Sequence, residues 1–156
     1  PGELGPERSW PNNRWVYGTL GAALFIALVL LGTAAPTFDR QRLADLQHLR
    51  DALESYHKVH GVYPRAAFSS VIVGGVRDPL WISGLVPQFL PKLPTDPRGS
   101  MEPSLQYMYV SDGIDYKVIS HAPEDIEATL RRHPQMSDPR RPTWAYGYWT
   151  AHAASW

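Results

Sequence analysis

The sequence predicts an α+β protein: a long N-terminal helix, transmembrane in its first half and amphipathic in its second, packed on a small antiparallel β-sheet in a loop-rich domain. Three observations carry this reading. Trp15 to Pro36 (WVYGTLGAALFIALVLLGTAAP) is a run of 22 residues without one charged side chain. Leucines recur at spacings of three and four from Leu43 to Leu53, soon after it. Two β-rich runs, LQYMYV and DYKVIS, flank the dipeptide Asp112-Gly113.

Residues 1–14 (PGELGPERSWPNNR) hold three prolines and no periodicity, which predicts an extended tail. Residues 15–36 are long enough to cross a bilayer core of about 30 Å, which needs roughly 20 apolar residues at 1.5 Å rise. A cleaved signal peptide is the rival reading. Its apolar core would be about 7 to 15 residues, shorter than this run. Trp10, Trp15 and Tyr17 also place aromatic rings where a membrane interface favours them.

Residues 37–61 predict an amphipathic helix that continues the spine. Leu43, Leu46, Leu49, Leu53, Tyr56 and His60 form one stripe, while Asp39, Arg40, Arg42, Asp45, Arg50, Asp51 and Glu54 fall largely elsewhere. Gly61 then supplies a left-handed C-cap, and Tyr63-Pro64 forces extended backbone. A continuous helix from Trp15 to His60 would measure roughly 70 Å, with Pro36 at its kink.

Residues 62–156 predict a small β domain with an aromatic C-terminal tail. Over 65–103 the apolar patches FSSVIVGGV and LWISGLVPQFL are interrupted by Gly and Pro, which predicts a loop with one short helical turn near Leu80 to Leu85. LQYMYV and DYKVIS predict a hairpin, closed where Gly113 allows a positive φ. PEDIEATLRR predicts a short helix, and DPRRPTWAYGYWTAHAASW an extended or short-strand segment.

Composition narrows the function classes. The formal net charge is zero and the pI about 7.5, so nothing suggests a basic nucleic-acid surface. Cysteine is absent, which excludes disulfides, thiolate metal sites and thiol catalysis. Fifteen prolines and twelve glycines imply many loops, with six Trp, eight Tyr and four Phe to fill or cover a thin core.

The order of these parts resembles the pilin-like proteins of type IV pili and type II secretion, above all the major pseudopilin. The likeness rests on Ala52, Leu53, Glu54, Tyr56, Gly61, Tyr63 and Pro64, then Leu93, Pro94, Asp96, Pro97 and Gly99, then Tyr107 and Tyr109. It covers about residues 15–121 and implies a pilin-like fold. It also implies a cleavage Gly before an aromatic first residue and a Glu at the fifth mature position. Counting back from Pro36 as the kink proline, those positions hold Arg14 and Thr19. Both signature residues are missing, so the expectation is a chain that keeps residues 1–14 and has left the filament. A buried carboxylate without a partnering amine is costly, so losing both together is physically coherent.

Catalytic chemistry is thinly represented: no glycine-framed nucleophile, no phosphate-binding loop and no His within the span. The expectation is a non-enzyme without a cofactor. His57 and His60 lie three apart but have no third ligand near in sequence. Major pseudopilins hold calcium with loop oxygens; the resemblance makes Asp112, Asp115, Glu124 and Asp125 the calcium candidates here, against turn-forming and helix-capping roles for the same carboxylates.

Partner-binding candidates are Gly18, Gly21 and Ala22, small residues that let another helix approach the span, and Trp149 and Trp156 near the chain's end. Trp149 and Trp156 read equally as core or as contacts with a partner or the membrane surface, whereas Trp144 and Tyr146 read as core. Expected partners are other integral-membrane subunits and the lipid bilayer, with no nucleic acid. Arg8 and Arg14 before the span balance Arg40 and Arg42 after it, so topology follows the resemblance. It implies a single-pass protein of the bacterial inner membrane, N-terminus cytoplasmic and C-terminal domain periplasmic. The functional expectation is a pilin-like accessory subunit that stabilises a larger membrane complex, such as a photosynthetic reaction-centre, light-harvesting or respiratory assembly. The alternative is a minor or major pseudopilin of a secretion or pilus system.

Overall fold

Helix α1 runs from Phe38 to His60 and buries the stripe that its leucines predict. Leu46, Leu49 and Leu53 are wholly buried, each worth about 1.5 to 3 kcal/mol over its exposed state. The helix stops where expected. Gly61 takes a φ of +72°, and its N–H donates to the His57 carbonyl at 2.7 Å.

In this computed structural model the described residues are 38–66, 72–74, 78–121 and 123–156, all within one compact unit, Pro36–Trp156. The expected tail and span, with Gly18, Gly21 and Ala22, lie outside them. Among the described residues no helix is long and apolar enough to cross a membrane.

After α1 the chain turns back beside the hairpin: the Tyr63 N–H meets the Gly113 carbonyl, and Ala66 bridges Ser111. Strand β1, Ile72–Gly74, then pairs with Tyr107–Tyr109. This corrects the expected loop, because the short segment IVG shows no two-residue alternation yet still finds a strand partner. The helical turn expected near Leu80 to Leu85 is not formed; Gly84 stands at φ +85°, and a helix-like turn follows it, with Phe89 N–H on the Leu85 carbonyl.

Strands β2 (Tyr107–Ser111), β3 (Tyr116–His121) and β4 (Ala145–Trp149) complete an antiparallel sheet in the order β1-β2-β3-β4. The predicted hairpin is β2–β3. Asp112 Oδ1 accepts the N–H groups of Ile114 and Asp115, and Gly113 takes φ +95°. The predicted short helix is α2, Ile126–Arg132, capped by Asp125 on the Ala128 N–H.

Because strand side chains alternate, Tyr107 and Tyr109 of β2 share one face with Tyr116 and Val118 of β3 and with Tyr146 and Tyr148 of β4. That face packs on α1. With Trp81, Ile82, Leu85 and Leu93 from the loops, it closes the core.

Candidate functional site

The seam between α1 and the sheet is where this domain concentrates its buried polar chemistry. Four tyrosines reach across it. Tyr107 donates to Asp45 at 2.8 Å, Tyr116 to Glu54 at 3.1 Å, Tyr148 to Gln47 at 2.9 Å and Tyr146 to Asp39 at 3.4 Å. The acceptors step along the helix from its first turn to its last third, so β2 and β3 are tied at one level each and β4 at two. Burial, then the Asp45 carboxylate, pushes the Tyr107 hydroxyl well above its ordinary pKa and keeps it a donor.

At the first turn of α1 the polarity deepens into an ion cluster. Arg42, wholly buried, sends Nε to Asp96 at 2.7 Å, Nη2 to the same carboxylate at 3.0 Å and Nη1 to Asp39 at 2.6 Å. The fork on Asp96 is bidentate, the geometry that guanidinium and carboxylate planes favour. Asp39 also accepts the N–H groups of Glu124 and Asp125 at 3.1 and 2.6 Å. Asp96 takes Arg98 through backbone N–H and Nε. Burial pushes the Asp96 carboxyl up, but the bonds from Arg42 and Arg98 outweigh it and hold it below the usual range.

A second cluster sits on the opposite face of the sheet. Lys117, nearly all buried, donates to Asp138 at 2.9 Å and to the carbonyls of Ala154 and Trp156 at 3.2 and 2.8 Å. Burial lowers the Lys117 ammonium despite that carboxylate, whereas Asp138, shared with Arg141 and the Arg140 N–H, is held low. Beside it a cavity of about 230 Å³ is lined by Met108, Val110, Ile119 and Trp156, among others.

The predicted partner residues in the described region divide accordingly. Trp149 is half-buried, with the Lys117 ammonium 5.3 Å from its ring centroid, and half-buried Trp156 walls the cavity. Tyr146 is core as expected, at 0% exposure. Trp144 is not: it is 47% exposed and touches His121 edge-on, because the turn Arg141–Ala145 holds it outside the strand whose alternation would bury it.

The four calcium candidates serve separate tasks. Asp112 closes the hairpin, Asp115 pairs with His152 at 3.3 Å, Glu124 accepts the Phe38 N–H at 3.2 Å and Asp125 caps α2. Among the described residues no group of three His, Cys, Asp or Glu side chains is placed to hold a metal ion. His57 stacks on Tyr63, and His60 lies against Tyr56 and Phe89.

Comparison of the chain with protein-family models, with curated proteins and with solved structures finds no match. The residues themselves must carry the functional reading. In the two clusters, each carboxylate meets a cation or backbone donors at hydrogen-bond distance, so the arrangement cross-links the fold.

Asp39 and Arg42 correct the sequence reading, which set them on the polar side of α1. Arg42 stands four residues before Leu46 and Asp39 three before Arg42, so both continue the apolar stripe. A charged residue in a stripe position was the available signal of a buried pair, but its main partner, Asp96, lies 54 residues away. Lys117 gave a similar hint inside the β-rich run DYKVIS.

Proposed function

We propose that this protein is a non-catalytic, single-span, pilin-like accessory subunit that stabilises a larger integral-membrane complex, such as a photosynthetic or respiratory assembly. The charge-free run Trp15–Pro36 anchors it in the bacterial inner membrane, with the N-terminus cytoplasmic and the β domain periplasmic. The observation that carries the reading is that the run ends two residues before a helix bolted to an antiparallel sheet by four tyrosines and to the Asp96 loop by Arg42. A domain whose buried charges are consumed in holding itself together suits a structural task.

The test is purification through this chain from membranes dissolved in mild detergent, with companions identified by mass spectrometry. Integral-membrane subunits of one complex in fixed ratio are the expected result. Release of the chain from membranes by alkaline carbonate would overturn the anchor. Filament proteins as the companions would replace this reading with the pseudopilin one.

A further inference from the structure

We propose that the end of the domain bearing Phe38, Met101 and Trp144 rests in the headgroup layer of the lipid bilayer, so that the β domain stands on the membrane by a defined foot. This rests on the anchored reading above and deepens it. Phe38 is 41% exposed, Met101 53% and Trp144 47%. Among the described residues, Phe38 and Trp144 are the Phe, Tyr and Trp side chains that remain exposed.

A chain of contacts gathers them at one end. Trp144 lies 4.5 Å from the His121 ring, and the His121 carbonyl accepts from Arg98. Arg98 shares Asp96 with Arg42, whose guanidinium lies 5.9 Å from the Phe38 ring. Met101 follows Ser100, whose carbonyl binds the Gln106 amide just before β2. The opposite end, with the hairpin turn beside Gly61 to Tyr63, exposes Val59, Val62 and Ile114 and, among the described residues, no Phe, Tyr or Trp ring.

Chain length places the occupant. The apolar run ends at Pro36, two residues before Phe38, a reach of about 7 Å at full extension. The headgroup layer on each side of the core is roughly 5 to 7 Å deep. A run that fills the core therefore delivers Phe38 into that layer, where amphipathic rings such as Trp are favoured. Beside Phe38 the carboxylate of Glu124 accepts its N–H, and Asp125 follows on the same stretch, so this end is not a basic patch and contact does not require anionic lipid.

This chain lacks cysteine, so single sites can be labelled in it. Thr143→Cys and Met101→Cys report the foot, and Ile114→Cys the far end; all three positions are exposed. In phosphatidylcholine vesicles, spin labels at 143 and 101 should favour oxygen over a water-soluble nickel relaxant several-fold more than the label at 114. Equal, water-like values at all three sites in protein that floats with the vesicles would overturn the foot and leave the anchor standing. Equal, lipid-like values would also overturn it. Failure to float with the vesicles would overturn the anchor itself.

Discussion

Replacing Arg42 by methionine should cost the domain about 3 kcal/mol, at the low end of the 3 to 5 kcal/mol typical when one partner of a buried ion pair is removed. The low end follows from what remains. Asp39 keeps the N–H groups of Glu124 and Asp125, and Asp96 keeps Arg98, so neither carboxylate is left bare. Against a usual domain stability of about 5 to 15 kcal/mol this is a large fraction, equivalent to a fall in Tm of roughly 10 °C. Arg42→Lys should cost less, since it keeps the charge and loses only the fork. The assay is thermal unfolding of the full chain in mild detergent, followed by near-ultraviolet circular dichroism, where Trp81 and the buried tyrosines report packing. The pH dependence gives an independent check. Asp96 has a lowered pKa in the fold, so its contribution is present above the unfolded value of about 3.9 and is lost as pH falls through the folded one. The gap between wild type and Arg42→Met should therefore narrow below about pH 4. A cost under about 1 kcal/mol at pH 7, or a gap that widens in acid, would refute the clamp as a stabilising link.

Three further substitutions probe other parts of the fold. Gly147→Ala would drive a Cβ into the Val118 carbonyl and the Ile119 backbone, and should abolish β3–β4 pairing, seen as loss of amide-exchange protection in both strands. Gly61→Ala meets open space and only a positive φ, so a cost of about 1 kcal/mol in the same unfolding assay is expected. Leu49→Ala, at a wholly buried site, should cost about 2 to 5 kcal/mol; a loss below 1 would mean the helix does not pack as described.

What the sequence made legible was periodic. The leucine stripe located the buried face of α1, Gly61 its C-terminal end and Asp112-Gly113 the hairpin, because these signals are local. β1 was hidden because IVG has no alternation of its own and is a strand only through its partner at Tyr107–Tyr109. The Arg42 clamp was hidden for a related reason. Charge type said surface and stripe position said core, and the tie was broken by Asp96, whose place in the Leu-Pro-x-Asp-Pro run marked it without revealing its task. Trp144 erred in the other direction, since residue type argued for burial while the turn before β4 left the ring outside.

The placement of the two ion clusters bears on why such costly groups sit in a small domain. Well-packed apolar side chains would fill the space around Arg42 with less desolvation, so stability alone is a weak reason for it. The clamp, however, joins the first turn of α1 to the Asp96 loop, to the chain after β3 and, through Tyr146, to β4. A helix start is ordinarily the place that frays, with its first N–H groups unsatisfied. Here the Phe38 N–H is held by Glu124 and the following turn is fixed by a bidentate fork, which tolerates one geometry where a leucine contact tolerates several. A tether entering at Phe38 would therefore load three separate segments of the domain together instead of peeling one helical turn. Under the anchored reading, that is the mechanical demand placed on a domain held to a membrane by a single span.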